Sequence, residues 1–447
     1  MNFKNLLKLF SEKNCQKVYV KKLSANDNSK NQIYFGGSFD ILNILPSSDI
    51  TTDKDGIRKR ESFKSKLDFY WLNDEGMSSK ASHAQLILYP DYPEVRFSGF
   101  LLGCKNAPRD LLKERMDNRV LFLGVSEERK IYCYAVGPNS EMANEFFALK
   151  NMETHGVFYL FTILNNQVET NSRNILLKEL KRIHNLGWIY SKRLPSDLQI
   201  VPCEHSNCGG FTLEAELKIP SNSKSGPDFL GWEVKNFSVK NFEKINSTII
   251  TLMDHSPTHG FFNEQGAEAF IRKYGYNDKR GRESRMNFGG THRQGIFHNL
   301  TSLQLIIVGF DFENSKIIDL NGYIALIDRN GNIAASWSFE SFIKHWTTKH
   351  ANACYVPSKL KKEIILGSSK RQYSYGNKII LGSYTDVTLL FKQIYLGKIY
   401  FDPGIKLELA IEGQRRTAVK VRSSFRIKSN DLSSLYQTNE LVNLNLI

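Results

Sequence analysis

The segment Gly226-Pro227-Asp228-Phe229-Leu230-Gly231-Trp232-Glu233-Val234-Lys235 decides how this chain is read. It carries one carboxylate, a glycine-containing turn, then a second carboxylate and a lysine separated by one residue. Side chains of a β-strand alternate between faces with a period of two. A strand over Trp232–Lys235 therefore puts Glu233 and Lys235 on one face and sends Trp232 and Val234 into the core. Asp228, just before the turn at Gly231, can fold back toward the same face. Two carboxylates and an ammonium converging at a strand edge suit metal-assisted phosphodiester hydrolysis. The acids hold a hard cation such as Mg²⁺, and the cation and the lysine lower the cost of forming hydroxide and of charge developing on phosphorus. A surface hairpin with a solvated Glu/Lys pair has the same spelling, so context must decide between the two.

The chain has 447 residues, enough for two to three domains, and its 41% hydrophobic and 12% aromatic content is ample for buried cores. Its net charge of +14 favours polyanionic partners, nucleic acid or an anionic membrane surface. No apolar run reaches the length of a membrane span and none resembles a signal-peptide core. Phe3 to Lys13 reads as a short amphipathic helix packed on a domain. The six cysteines are scattered and form no disulfide framework, which reads as reduced thiols in a cytoplasmic protein. Cys203 and Cys208 flank His205, but a zinc site needs more ligands than this stretch offers, so they read as loop cysteines.

Residues 1–168 are strand-rich. Val18–Leu23 alternates and ends at the turn formers Ser24-Ala25-Asn26-Asp27-Asn28, and a basic loop runs from Lys54 to Lys66. Strands are expected at 84–89, 94–100, 120–125, 131–136 and 157–164, with short helices at 111–116 and 141–151, a pattern suggesting a barrel-like domain. Asn171-Ser172 then caps a helix at 173–186 that stops at Gly187. The boundary is placed there, giving units 1–168 and 169–447. The second unit reads as α/β, with a hairpin at Asn330-Gly331 and a helix at 339–349.

Basic residues cluster twice in this second unit. Arg272, Lys273, Lys279, Arg280, Arg282, Arg285 and Arg293 form one group; Lys406, Arg415, Arg416, Lys420, Arg422, Arg426 and Lys428 form the other. A single cluster is ordinarily a solvated face. Two of them flanking a candidate metal site suggest a phosphate track. In a strand over 419–427, Lys420, Arg422, Ser424 and Arg426 share a face, and arginines two apart suit guanine edges in a major groove or a row of phosphates.

Beyond the hairpin, Gly210–Leu217, Arg285-Met286-Asn287-Phe288-Gly289-Gly290, Ser336-Trp337-Ser338-Phe339, His345–Ala351 and Val421–Ile427 complete a pattern that resembles the MvaI/BcnI family of restriction endonucleases. The resemblance covers most of residues 172–430. It implies a PD-(D/E)xK nuclease fold and Mg²⁺-dependent cleavage of double-stranded DNA. Asp228 and Glu233 match the family's metal-binding acids, Lys235 its catalytic lysine, and Glu214 an acid on the preceding element. Target reading maps to Asp402, Lys420, Arg422 and Arg426, with Arg285 in the first basic cluster. Some members have histidines where this chain has Lys420 and Arg422. Val18–Asp27 separately resembles the start of the EcoRII-type effector domain, a DNA-binding pseudobarrel, and implies recognition by Lys21, Lys22, Ser24, Asn26 and Asp27.

The fold expected is thus mixed: a β-rich pseudobarrel at the N-terminus and an α/β PD-(D/E)xK nuclease at the C-terminus. The function expected is that of a type II restriction endonuclease cutting a short CCWGG- or CCNGG-like site. Its partners would be duplex DNA at two sites, effector and catalytic, and a cognate methyltransferase, with the chain a monomer or transient dimer and no membrane involved. The alternatives are a DNA-binding regulator that keeps the fold without catalysis, and a defence or repair nuclease of low specificity.

Overall fold

The computed structural model describes residues 1–39, 41–53, 61–90, 94–126, 128–150, 152–164, 167–169, 172–205, 207–221, 227–350, 352–365, 368–408 and 418–447. Gly226, Asn171, most of the basic loop (Lys54, Arg58, Lys59, Arg60) and Arg415 and Arg416 lie outside the described residues.

The turn expected at Gly231 forms. Leu230 and Gly231 have φ of 47° and 86°, and Phe229 and Trp232 exchange backbone hydrogen bonds of 2.8 and 2.9 Å across them. Two consecutive left-handed residues match the twist of a tight hairpin, and glycine takes the second place without steric cost. The strand Trp232–Ser238 then runs parallel to the first half of Asn352–Ile365, with Glu233 opposite Ala353 and Lys235 opposite Tyr355. Asn352–Ile365 pairs in turn with Ser368–Tyr375 and Lys378–Ser383, and Ile189–Tyr190 and Thr438–Asn443 complete the sheet.

Parallel pairing requires cover on both faces, and two helices supply part of it. Ser172–Asn185 buries Leu176, Leu177, Leu180 and Ile183, which join Trp232, Val234, Val356 and Leu381 in one apolar cluster. The Trp232 indole N–H donates to Ser172 Oγ at 3.3 Å, fixing the helix start over the strand. Ile175, on the same helix, is half-buried and faces a cleft. The second helix, Cys208–Glu216, lies so close to the strand that a Cβ at Gly209 would come within 2.7 Å of Asn236 Oδ1.

The late part of the chain forms further antiparallel sheets. Arg285–Gly289 pairs with Gly404–Glu408, which pairs with Ala418–Lys420; Ser424–Lys428 pairs with Ile249–Asp254 and Tyr400–Phe401. The continuous strand expected over 419–427 is therefore broken at 421–423. Its two halves belong to different sheets, and Lys420, Arg422, Ser424 and Arg426 do not line one strand face. The Asn330-Gly331 hairpin forms with Gly331 at φ 81°, and the helix Phe339–Lys349 has the expected bounds.

Among the described residues, strands before residue 170 pair only with one another, in sheets of eight and five strands. They form no closed barrel, so the architecture is strand-rich mixed α/β. The helix Phe3–Glu12 packs on this part through Phe3, Leu6, Leu7 and Phe10, as its amphipathic pattern demands. The first and second parts of the chain share a core: one buried cluster contains Phe39, Ile41 and Leu45 together with Phe342, Trp346 and Phe391. Phe39 N–H also donates to Asp386 Oδ2 at 2.9 Å, while Asp386 Oδ1 caps the helix Val387–Tyr395 by accepting from Thr388 N–H at 2.8 Å.

One expectation about cysteine is corrected. Cys15, Cys104, Cys133 and Cys354 are buried free thiols, but Cys203 and Cys208 are joined in a disulfide. Cys203, just after the short strand Val201–Pro202, and Cys208, the first residue of the next helix, have Cα atoms 5.8 Å apart, inside the range a disulfide spans. No described helix is long and apolar enough to cross a membrane.

Because Asp386 satisfies two backbone donors from different parts of the chain, Asp386→Ala is expected to cost about 2 kcal/mol. Chemical denaturation checks this, with Asp386→Asn recovering part of the loss.

Candidate functional site

Glu233 and Lys235 share the face that alternation assigns them. Their side chains form an ion pair of 2.6 Å, with Glu233 only 2% exposed. Asp228 returns toward them and its Oδ2 accepts from Val234 N–H at 3.0 Å, so the turn and the strand together fix the first carboxylate over the second. Glu214 projects from the helix Cys208–Glu216 into the same cleft, and its charge acts on both Asp228 and Lys235. The structure therefore brings all four expected residues together.

The electrostatics are those of crowded acids. Burial, followed by the charge of Glu233, lifts the Asp228 carboxyl to about 7, against the Val234 hydrogen bond and Lys235, which pull it down. Burial depresses Lys235, but Glu233, Asp228 and Glu214 outweigh it, and its pKa ends above the ordinary value. Glu233 Oε1 is taken by Lys235, whereas Oε2 is buried with no hydrogen-bond partner among the described residues. An unsatisfied buried carboxylate oxygen is expensive. Here it faces a second carboxyl that resists ionisation, and both conditions are relieved by a cation. No group of three or more His, Cys, Asp or Glu side chains among the described residues is arranged to hold a metal ion. The donor set that fits one is the pair Asp228 and Glu233, a hard oxygen set suited to Mg²⁺-like ions.

The cleft around these groups has a volume of about 1230 Å³, and part of its wall comes from the first part of the chain, including Lys17, Tyr19 and Arg129. Lys17 rests directly on the turn at Leu230–Gly231: a Cβ at Gly231 would come within 1.8 Å of its Nζ. Burial lowers the Lys17 pKa to about 8, opposed by Glu153. Nothing in the sequence marked Lys17, because its strand reads as one of many alternating segments and its partner lies more than 200 residues away.

The residues expected to read DNA are distributed more widely. Asn287, Lys406 and Lys420 lie side by side across three paired strands, and Arg285 stands opposite Glu408. Arg285 is within 3.9 Å of Asp278 and 3.8 Å of Glu408. Asp402 and Arg426 form an ion pair of 3.1 Å with Arg426 Nε left unpaired and buried. Arg422 is exposed and packs against Gly404. In the first part of the chain, Lys22, Ser24 and Asn26 are exposed, while Lys21 and Asp27 are each 5% exposed and form an ion pair of 3.4 Å. Asp27 also accepts from Ser24 N–H and Tyr34 N–H, and the fully buried Arg119 donates to the carbonyls of Ser24 and Asp27. Lys21, Asp27 and Arg119 thus build the turn that presents Ser24 and Asn26.

A mixed sheet that presents an acid–turn–acid–x–lysine hairpin in a cleft, beside basic antiparallel sheets, defines the class to which the comparisons lead. Residues 177–436 match the model of the MvaI/BcnI restriction endonuclease family. That is more than half of the chain, and the chain belongs to this family. Among solved structures, the chain is similar to a complex of restriction endonuclease MvaI with cognate DNA, at 19% identity and a TM-score of 0.43, covering 60% of this chain and 97% of that one. It is also similar to MvaI in the absence of DNA, at 19% identity and a TM-score of 0.34, covering 62% and 99%. No curated protein sequence matches the chain.

The raised Asp228 pKa fixes the sign of two pH effects. A carboxyl raised to about 7 on folding stabilises the cation-free protein fully below its unfolded value of about 3.9. That contribution is lost as pH rises through about 7. Divalent-cation affinity has the opposite trend, because binding requires the ionised acid: it should rise about tenfold per pH unit below the break and level off above it. Calorimetric titration with Mn²⁺ checks this, and Glu233→Gln should move the break to lower pH by removing a neighbouring charge.

Proposed function

We propose that this chain is a type II restriction endonuclease that hydrolyses phosphodiester bonds of double-stranded DNA at a short target. The observation that carries this reading is the buried Glu233 Oε2 without a partner, set beside Asp228 and Lys235 in a chain of this family. Asp228 and Glu233 would hold Mg²⁺, which when bound supplies a Lewis acid against the scissile phosphate and lowers the pKa of water. Lys235, freed from part of its pairing with Glu233, orients the attacking water and offsets charge as it develops on the phosphate oxygens. Glu214, a third carboxylate lining the cleft, would accept a proton or help order that water. Displacement in line at phosphorus leaves a 5′-phosphate and a 3′-hydroxyl.

The basic sheets around Arg285, Asp402, Lys420, Arg422 and Arg426 then supply phosphate contacts and base reading. Arginine paired with an aspartate, as in Arg426–Asp402, offers a donor for guanine and an acceptor for the cytosine amino group. On the resemblance, the target is CCWGG- or CCNGG-like. The first part of the chain would be an effector domain that binds a second copy of the site through the turn carrying Lys22, Ser24 and Asn26. One catalytic centre per chain cuts one strand at a time, so a monomer rebinds in the opposite orientation or two chains meet. A cognate methyltransferase is required to protect host DNA.

Full-length protein with Mg²⁺ should give discrete fragments of phage DNA, and a smear would instead indicate a low-specificity nuclease. Glu233→Ala should abolish cleavage while specific binding is kept or strengthened, since a carboxylate facing the phosphate is removed. A regulator without catalysis would show no cleavage to lose. Lys235→Ala should slow cleavage by about 10²-fold or more. Added oligonucleotide bearing the site should change the cutting rate of a single-site substrate, and an unchanged rate would argue against an effector role.

A further inference from the structure

The strand beside the catalytic strand does not end with it. Trp232–Ser238 stops opposite Ser358, but Asn352–Ile365 continues and pairs with Ser368–Tyr375 from Ser358↔Tyr375 to Ile365↔Ser368. At about 3.4 Å per residue, this paired arm of the sheet runs for about 24 Å; Ile189–Tyr190 and the Ser191 N–H pair with Ser368–Tyr375 as far out as Arg371, and Glu363–Ile365 with Ser368–Lys370 continue beyond as two strands alone. The covered part is fastened: Lys359 Nζ sits 5.3 Å over the Phe242 ring, and Arg371, opposite Lys362, donates to His205 O at 3.2 Å. Lys361 and Lys362, opposite Gln372 and Arg371, and Lys370 beyond them are exposed and make no ion pair among the described residues. Register puts Lys370 opposite Glu363, on the face of Lys361, and Lys362 on the other face. Glu363 accepts from Gln372 at 3.3 Å. Ile364, near the far end, is 80% exposed.

Lysines on an open strand commonly serve to prevent edge-to-edge pairing with another chain. That role does not require strands that run on past their neighbours with an isoleucine held out near the end. A two-stranded ribbon fits the major groove of DNA, which is about 12 Å wide, and cations on both faces can meet both phosphate walls. We propose that this arm lies on duplex DNA outside the target and that Lys361, Lys362 and Lys370 neutralise phosphates of the flank. The proposal rests on the nuclease reading above. The catalytic sheet sets its reach. Lys235 stands opposite Tyr355, so Lys361 is six residues and Ile364 nine residues further along, about 20 and 30 Å, or about six and nine base pairs.

The test is the salt dependence of binding by the full chain, without divalent cation, on a duplex of about 40 base pairs centred on a site that the wild-type enzyme cuts. Each phosphate contact contributes about 0.9 to the slope of log K against log salt. The triple variant K361A/K362A/K370A should lower that slope by about 2.7. Between 50 and 200 mM salt, wild type should then lose about 40-fold more affinity than the variant. The difference should vanish on a duplex trimmed to about five base pairs beyond the cut. Equal slopes, or an equal difference on both duplexes, would overturn the proposal, as would a variant whose only change is self-association. Wild type that cuts no DNA would sink the nuclease reading, while the same slopes on non-specific duplex would still report on the arm.

Discussion

A buried carboxylate held against a lysine and a second carboxyl is the constraint to which the rest of this structure answers. Glu233 is 2% exposed, pairs with Lys235 at 2.6 Å, and has Asp228 folded over it through the Val234 N–H. Such a cluster is a poor stabilising device: desolvation of each charge costs several kcal/mol, and well-packed apolar residues of similar volume would commonly do as well or better. Its cost is visible in Asp228, which burial and Glu233 lift to about 7, and in the unpaired Glu233 Oε2. The fold supports it from all sides. A turn with two left-handed residues returns Asp228, parallel pairing with Asn352–Ile365 fixes the strand, and the close approach at Gly209 brings in the helix that carries Glu214.

Much of that was legible in ten residues. Period-two alternation separates Glu233 and Lys235 from Trp232 and Val234, and glycine after leucine marks the turn; neither requires knowledge of distant contacts. The helices at 172–185 and 339–349 were legible for the same reason, since their apolar spacing is local. What escaped was set by tertiary pairing. The strand over 419–427 alternates well, yet it is broken because its two ends bond to different sheets. The long strand Asn352–Ile365 escaped because its outer half carries the charged run Lys361-Lys362-Glu363 and its inner half contains Pro357, a residue that ordinarily argues against a strand. Pro357 is tolerated where the returning chain passes from Ser368–Tyr375 to Lys378–Ser383 at Gly376.

The same distinction applies to side chains. The resemblance to the EcoRII-type effector domain implies DNA contacts by Lys21 and Asp27, yet both are buried and hold the turn on which Ser24 and Asn26 are exposed. Cys203 and Cys208 read as loop thiols because spacing alone does not reveal that a strand end and a helix start meet at 5.8 Å. Lys17 gave no local sign at all, but it joins the first part of the chain to the turn at Leu230–Gly231. Together with the shared core around Trp346 and the Phe39–Asp386 hydrogen bond, this contact means that the surroundings of the Asp228–Lys235 hairpin include residues far outside the family match at 177–436.

The claim at the centre of this account is that Asp228 and Glu233 form a divalent-cation site. Anomalous diffraction from a crystal of the full chain soaked in Mn²⁺ tests it most directly. The account expects one strong peak about 2.0–2.3 Å from a carboxylate oxygen of each, with Glu233 Oε2 among the ligands. A protein that binds Mn²⁺ elsewhere, leaving Glu233 Oε2 without a ligand and Asp228 unchanged beside it, would contradict it.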